Sequence, residues 1–411
     1  MEDHHIQRSA LQEVVESVAD TPVVLIHGPR QAGKSTLALA AGRKLGAGYV
    51  TLDDPAPRGF AERDPAGFLL SHNGPLIIDE VQRAPGLFLA LKAAVDRDRR
   101  PGRYLLTGSA NVLALPKISD SLAGRIAIID LLPFSQSEIE GNPVNPLDRW
   151  IEDGPPLGRE LSQDDLGSRL IRGGFPEPFA RSSSSRRNAW FTDYLRTILE
   201  RDVRDLANIE GLTQLPRVLR LLAARAGEAI NVVELSRETQ IPNTSLHRYL
   251  DLLQAVFLTV AVPAWSSDQS ARLTKTPRTY LVDTGLLCHL LNLGETALER
   301  DPDAFGRALR NFVALELKKL CTTSRHRPTL LHLRTVRRLE VDFVLEDGSG
   351  AVTGIHVKAA HTVLDSDLDG LRFLDELAGD RFGIGIVLYL GSEVLPLARN
   401  LYAVPVAALW G

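Results

Sequence analysis

Residues 23–36 read Val-Val-Leu-Ile-His-Gly-Pro-Arg-Gln-Ala-Gly-Lys-Ser-Thr, and they decide the fold. The apolar run Val23–Ile26 predicts a strand, and the Ala/Leu-rich run Thr36–Ala41 predicts a helix. Between them Gly28, Pro29, Arg30, Gln31, Ala32, Gly33, Lys34 and Ser35 fit the pattern G-x-x-x-x-G-K-[ST]. Glycines let backbone N–H groups curl around phosphate oxygens, and the N-terminus of the following helix carries the equivalent of about +0.5 charge. Residues 28–36, Thr36 included, are therefore the candidate polyphosphate cradle. Lys34 is expected to reach the β- and γ-phosphates, and the Ser35 hydroxyl to help hold Mg²⁺.

Downstream, Pro75-Leu-Ile-Ile-Asp-Glu80 is an apolar strand ending in two acids. Alone that is a weak signal. Paired with the phosphate loop it places Asp79 as the Mg²⁺ anchor and Glu80 as the group that polarises the attacking water. A further strand, Tyr104–Leu106, runs into Thr107-Gly-Ser-Ala-Asn111. Ser109 is the candidate contact to the γ-phosphate, with Thr107 and Asn111 close behind. Arg125, just before another strand, is a candidate arginine finger; the competing reading is a surface ion pair.

The apolar runs Val23–Ile26, Tyr49–Leu52, Leu76–Ile78, Tyr104–Leu106 and Ile126–Leu131 alternate with helical stretches, and residues 6–19 carry the spacing of an amphipathic lead-in helix. Five strands separated by helices predict an α/β fold with a mostly parallel, doubly wound sheet. Gly141–Gly154 and Arg181–Arg187, rich in Pro, Gly, Asn and Ser, read as loops. Residues 188–260 are strongly helical. Val232–Thr239, the break Ile241-Pro242-Asn243 and Thr244–Phe257, with a β-wing in Leu258–Val282, form a winged-helix pattern. Its outward residues Asn243, Ser245, Arg248 and Asp251 make no basic stripe. A packing or oligomerisation module is thus preferred over a DNA reader.

The last third predicts a separate α/β unit, with a helix at Phe305–Leu320 and strands at Leu330–Leu333, Glu340–Leu345, Gly354–Val357 and Gly385–Leu390. Strand alternation puts Glu340 and Asp342 on one face, and His356 and Lys358 on one face of the next strand. Acid and lysine in this order resemble a PD-(D/E)XK nuclease core, with Glu316 matching that fold's helix acid. His356 stands where a second carboxylate is expected, and imidazole is a poor ligand for Mg²⁺. The reading is a degenerate domain that binds without cleaving; the alternative is an active metal-dependent nuclease.

At 411 residues the chain is too long for one core and predicts two or three domains. The apolar content of 44%, charged content of 24% and net charge of −4 give no global basic signal for nucleic acid. Two cysteines without metal-type spacing, and no apolar stretch of about 18 residues, predict a cytoplasmic protein outside the membrane.

Taken together, these residues resemble the large prokaryotic family of AAA-plus-type ATPases whose C-terminal half combines a winged helix with a restriction-endonuclease-like fold. The resemblance is carried by Gly28–Thr36, Ile77–Arg83 with Gln82, Leu106–Ser109, Leu122–Arg125 and Leu132–Glu138. In the second half it rests on Gly173–Glu177, Glu200–Val203, Tyr280–Leu286, Glu340–Val344 and the Val404–Trp410 tail. It implies ATP as ligand with Mg²⁺, ATP hydrolysis, and a C-terminal module that meets DNA or a protein partner, with a homo-oligomer as the expected assembly. The implied domains are an ATPase domain at 1–140, a helical and winged-helix-like domain at 141–290, and a nuclease-like domain at 291–411. The alternatives are an ATP-regulated nuclease and a winged-helix DNA-binding regulator.

Overall fold

The structure is a computed structural model and describes residues 6–72, 74–109, 122–155, 165–203, 212–273, 275–335 and 339–411, without the side chains of 201, 202, 212, 269 and 271. Asn111 lies outside these residues, as do the side chains of Arg201 and Asp202. The chain divides into two compact units, one of residues 1–134 with 255–257 and one of 135–254 with 258–411.

In the first unit, strands β1 (Val23–His27), β2 (Gly48–Thr51), β3 (Leu76–Asp79), β4 (Tyr104–Gly108) and β5 (Ile126–Asp130) form one sheet in the order β2-β3-β4-β1-β5. Every adjacent pair is parallel, as the sequence predicts. Such a sheet needs cover on both faces, and β1 shows why it has it. Val23 and Leu25 join a core with Leu76, Ile78, Phe88 and Leu106 on one face. Val24 and Ile26 join Val14, Leu37, Ala41 and Ile77 on the other. That second face is covered by α1 (Ala10–Asp20) and α2 (Lys34–Leu45). Gly42 lets α2 lie close to the sheet, because a Cβ there would meet Ile77 Cδ1 at 2.3 Å. The strand order has a functional consequence. It sets the carboxyl ends of β3, β4 and β1 side by side, where ligands of open α/β sheets bind.

The second unit opens with helices. Two of its predicted loops are partly helical. Pro146–Asp153 is a helix whose cap Asn145 accepts from Leu147 N at 3.0 Å, with Pro146 in the first turn. Ser184–Thr197 takes over the end of the serine run. At Asn145-Pro146 the residues act as helix-start signals, not as turn formers; Ser183, at the start of the second helix, makes no side-chain cap hydrogen bond.

Helices Leu215–Ala224, Val232–Thr239 and Asn243–Ala255 follow, with a small antiparallel sheet in the order β6 (Glu228–Ala229), β8 (Arg278–Leu281), β7 (Thr259–Val262). The 22-residue helix Pro302–Thr323 leads into a mixed six-stranded sheet. Its strands are β9 (Thr329–Arg334), β10 (Glu340–Glu346), β11 (Val352–Val357), β12 (Phe382–Tyr389), β13 (Leu395–Ala398) and β14 (Leu401–Pro405), in the order β13-β14-β12-β11-β10-β9. Helix Asp369–Ala378 packs on that sheet through Leu371 and Leu374.

Candidate functional site

β1 ends at His27 and the chain turns at once. Gly28 has φ +154°, and a Cβ there would meet Leu131 O at 2.1 Å, so only glycine fits against the chain leaving β5. Residues 29–32 make the turn, with Gln31 at φ 61°, and Gly33 at φ 95° caps α2 without offering a side-chain acceptor. α2 therefore begins without a side-chain cap, the arrangement by which helix amino ends receive anions. Lys34 is buried, and its Nζ donates to Gly28 O at 3.1 Å and Pro29 O at 2.8 Å. The ammonium is thus stored inside the loop that it would serve.

The loop is braced from outside by a residue that no motif singles out. Arg8, before α1, donates from Nη1 to Ala32 O at 2.7 Å and from Nη2 to Leu132 O at 2.6 Å. Its guanidinium carbon lies 4.9 Å from the centre of the Phe134 ring. One buried side chain so ties the phosphate loop to the chain after β5.

Asp79, at the end of β3, gathers hydroxyls. Oδ1 accepts from Ser35 Oγ at 2.7 Å and Thr107 Oγ1 at 2.6 Å, while Oδ2 accepts from Tyr49 OH at 3.1 Å and Thr51 Oγ1 at 3.4 Å. Burial and the Asp79 charge together push the Tyr49 phenol up to about 12. Glu80 adopts the left-handed conformation (φ 57°), and its N–H donates to Thr107 Oγ1 at 3.0 Å. Glu80 Oε2 accepts from Ser109 Oγ at 3.0 Å and from Gln82 Nε2, and Gln82 Nε2 also lies 2.9 Å from Ser109 Oγ. The structure thus gathers Lys34, Ser35, Asp79, Glu80, Thr107 and Ser109 on one edge of the sheet.

Arg125 is not among them. The parallel register pairs Val23 with Ile126 and His27 with Asp130. Arg125 therefore lies at the amino end of β1, about 20 Å of strand from the phosphate loop. There its Nε meets Asp96 Oδ1 at 2.7 Å. Within one chain it is a surface ion pair, not a finger.

The residues singled out in the C-terminal sheet also part company. Glu340, Asp342 and His356 line one cavity of about 350 Å³ with Asp303 and Arg310. Asp342 is held from three sides, by Arg278 Nη1 at 3.3 Å, His356 Nδ1 at 2.9 Å and Val357 N–H at 2.9 Å. Arg278, delivered by β8 and itself buried, also pairs with Glu340. Burial alone would raise the Asp342 pKa, but the close His356 imidazole and the charges of His356 and Arg278 hold it far below the usual carboxylate range. Burial opposes the charge on His356, and the Asp342 partnership outweighs it and raises that pKa.

Glu316 lies elsewhere. It is buried against Lys319 Nζ at 2.8 Å and accepts from Gln136 N–H at 2.8 Å. Lys358 turns to Asp367 at 2.7 Å. The expected grouping of Glu316, Asp342, His356 and Lys358 thus reduces to Asp342 and His356, joined by Arg278.

With the geometry in place, comparison with known proteins is decisive. The chain is 31% identical over 402 residues to an uncharacterized protein of Mycobacterium tuberculosis (strain H37Rv), covering 97% of this chain and 83% of that one. Residues 20–140 match a family model described as AAA domain, and residues 305–409 match Domain of unknown function (DUF4143). The chain belongs to the AAA-type P-loop ATPases with a C-terminal DUF4143 domain. Between those matches, residues 163–297 match Domain of unknown function (DUF8612). A second relative, an uncharacterized protein of Haemophilus influenzae, is 24% identical over 251 residues, covering 59% of this chain and 56% of its own. Among solved structures, the Walker-type ATPase PABY2304 of Pyrococcus abyssi aligns at 15% identity and TM-score 0.45, covering 71% of this chain and 97% of that one. The RuvB Holliday junction branch migration motor of Thermotoga maritima aligns at 18% and 0.33, covering 64% and 92%.

Among the described residues, no helix is long and apolar enough to cross a membrane, and no group of three or more His, Cys, Asp or Glu is placed to hold a metal ion.

Proposed function

We propose that this P-loop ATPase binds and hydrolyses ATP with Mg²⁺ on the edge formed by β1, β3 and β4. The observation that carries the reading is the Ser35–Asp79 hydrogen bond of 2.7 Å beside the phosphate loop. Mg²⁺ in nucleotide sites is held by one or two protein oxygens, with phosphates and waters completing the octahedron. A hydroxyl and a carboxylate already in contact suit that donor set. Bound there, Mg²⁺ would supply charge neutralisation at the β- and γ-phosphates.

The chain's own residues do the rest. The loop N–H groups and the amino end of α2 bind the polyphosphate, and Lys34 leaves the Gly28 and Pro29 carbonyls to pair with it. Thr107 fixes Asp79 and the Glu80 backbone together. Glu80 orients the attacking water and takes its proton, while Ser109 senses the γ-phosphate. Lys34→Ala tests the binding half: equilibrium binding of fluorescent ATP is lost in the variant, and unchanged affinity would refute the site.

The second unit is read as the module that nucleotide state moves, acting in the cytoplasm on a protein partner or a further copy of the chain. Its element order, three helices with the β6-β8-β7 sheet, supports reading it as a winged helix. The second helix of the pair exposes Asn243, Thr244, His247, Arg248 and Asp251. That mixed set suits protein docking better than DNA phosphates. The nuclease alternative finds no support in the C-terminal cavity. A metal-dependent nuclease needs free carboxylates, and Asp342 and Glu340 are already paired with Arg278.

A further inference from the structure

Residues 131–138 hold a motif that the ATPase reading leaves without a task. They follow the end of β5, and the division of the chain into two units falls among them, between Phe134 and Ser135. The first half is fastened to the phosphate loop. Leu131 N–H donates to His27 O at 2.8 Å, and Leu131 O lies where a Cβ on Gly28 would be only 2.1 Å away. Leu132 O and the Phe134 ring are held by Arg8, which also holds Ala32 O within the loop.

The second half is fastened within the second unit. Ser135 and Glu138 form a capping box: Ser135 Oγ accepts from Glu138 N–H at 3.1 Å, and Glu138 Oε2 accepts from Ser135 N–H at 2.9 Å. Two N–H groups are thus satisfied reciprocally, which fixes the start of this turn. Inside it, Gln136 N–H donates to Glu316 Oε2 at 2.8 Å and Ser137 Oγ donates to Leu409 O at 3.1 Å. Glu316 is buried, and a hydrogen bond to an ionised carboxylate is among the stronger ones. Phe134 and Ser135 are consecutive residues, so no slack separates the two sets of fastenings.

The loop end of this stretch has a reason to change with nucleotide. Lys34 Nζ donates to Gly28 O and Pro29 O, and pairing with phosphate draws it from both carbonyls. Gly28 is also the residue that abuts Leu131 O, so the rearrangement begins where the stretch is fastened.

We infer that residues 131–138 are the strap by which nucleotide occupancy of the phosphate loop reaches the C-terminal α/β domain, with Arg8 and Glu316 as its two anchors. The inference rests on the ATPase reading above and names the element of the second unit that responds first, helix Pro302–Thr323, which carries Glu316. Glu316 thereby has a task other than metal binding.

The test is amide hydrogen exchange of the full chain carrying Glu80→Gln, with and without Mg²⁺ and saturating ATP, alongside binding of fluorescent ATP. Inserting Gly-Ser-Gly-Ser between Phe134 and Ser135 adds slack and leaves every fastening residue in place. Glu316→Gln keeps the size of the anchor and removes its charge. In the parent chain ATP should change exchange within Pro302–Thr323 by about fivefold or more, the lower end of ordinary coupling between sites. The insertion should abolish that change, and Glu316→Gln should reduce it, with ATP still bound in both. Should the insertion variant not fold, Glu316→Gln alone decides. An equal change in parent and variants, or none in a parent that binds ATP, overturns the strap and leaves the ATPase reading intact. Failure of the parent to bind ATP overturns both.

Discussion

Replacing Arg278 by methionine removes the guanidinium that, among the described residues, reaches the Asp342 carboxylate, while keeping most of the volume of the side chain. Both partners are nearly sealed from water, with side-chain exposures of 4% and 6%. A buried carboxylate deprived of its cation costs about 3–5 kcal/mol. Here the loss falls toward the lower end, at roughly 3 kcal/mol, because His356 and the Val357 N–H still hold Asp342 Oδ2. Glu340 is half exposed and recovers water when it loses the same guanidinium. Urea unfolding of the second unit, followed by the fluorescence of buried Trp265, measures the change. A double-mutant cycle with Asp342→Asn then isolates the pair, and the double variant should cost well under the sum of the two single ones. If Arg278→Met changes stability by less than about 0.5 kcal/mol, the range of an ordinary surface substitution, the guanidinium is not what neutralises Asp342. The cavity would then have to be reconsidered as a site for an external cation.

Three further outcomes follow from the same geometry. His356 has a raised pKa, so its contribution to stability is complete below its ordinary value of about 6.5 and is lost as pH rises through the raised value. Asp342 has a depressed pKa, so its contribution is present above about 3.8 and lost only as pH falls through the lowered value. Urea midpoints from pH 4 to 9 should decline on the alkaline side, and His356→Gln should flatten that decline. Thr107→Val removes the hydroxyl that joins Asp79 Oδ1 to the Glu80 backbone, and should lower kcat/KM for ATP by about 10–100-fold, equivalent to about 1.4–2.7 kcal/mol; a change of under twofold would remove Thr107 from the site. Arg125→Ala should leave ATP affinity and the turnover of the monomer unchanged, since that side chain meets Asp96 at the far end of the sheet; a loss in the monomer would contradict the placement.

What the sequence made legible is what is local along the chain. The loop from Gly28 to Ser35 and the acids Asp79 and Glu80 carry their own context, because strand, turn and helix signals flank them within a few residues. Sheet order is not written locally. Tyr49 and Thr51 reach Asp79 only because β2 lies beside β3, and Thr107 only because β4 lies between β3 and β1.

Glu316 was misplaced for a reason of helix phase. Asp303, Gly306 and Arg310 share the stripe that faces the cavity. Glu316 lies six residues past Arg310, which turns it by about 240° and carries it about 9 Å along the axis. Arg278 had no signal at all. An arginine in a short β-strand reads as an exposed residue, and only the packing of β8 beside β10 turns it inward to Asp342 and Glu340.

The most direct measurement is ATP hydrolysis by Glu80→Gln in the full chain with Mg²⁺, alongside its affinity for ATP. The amide keeps the size of the carboxylate but cannot take a proton from water. Nucleotide affinity should stay within about twofold of wild type while turnover falls by about 10²–10⁴, the contribution of a general base. Undiminished steady-state hydrolysis by this variant would contradict it.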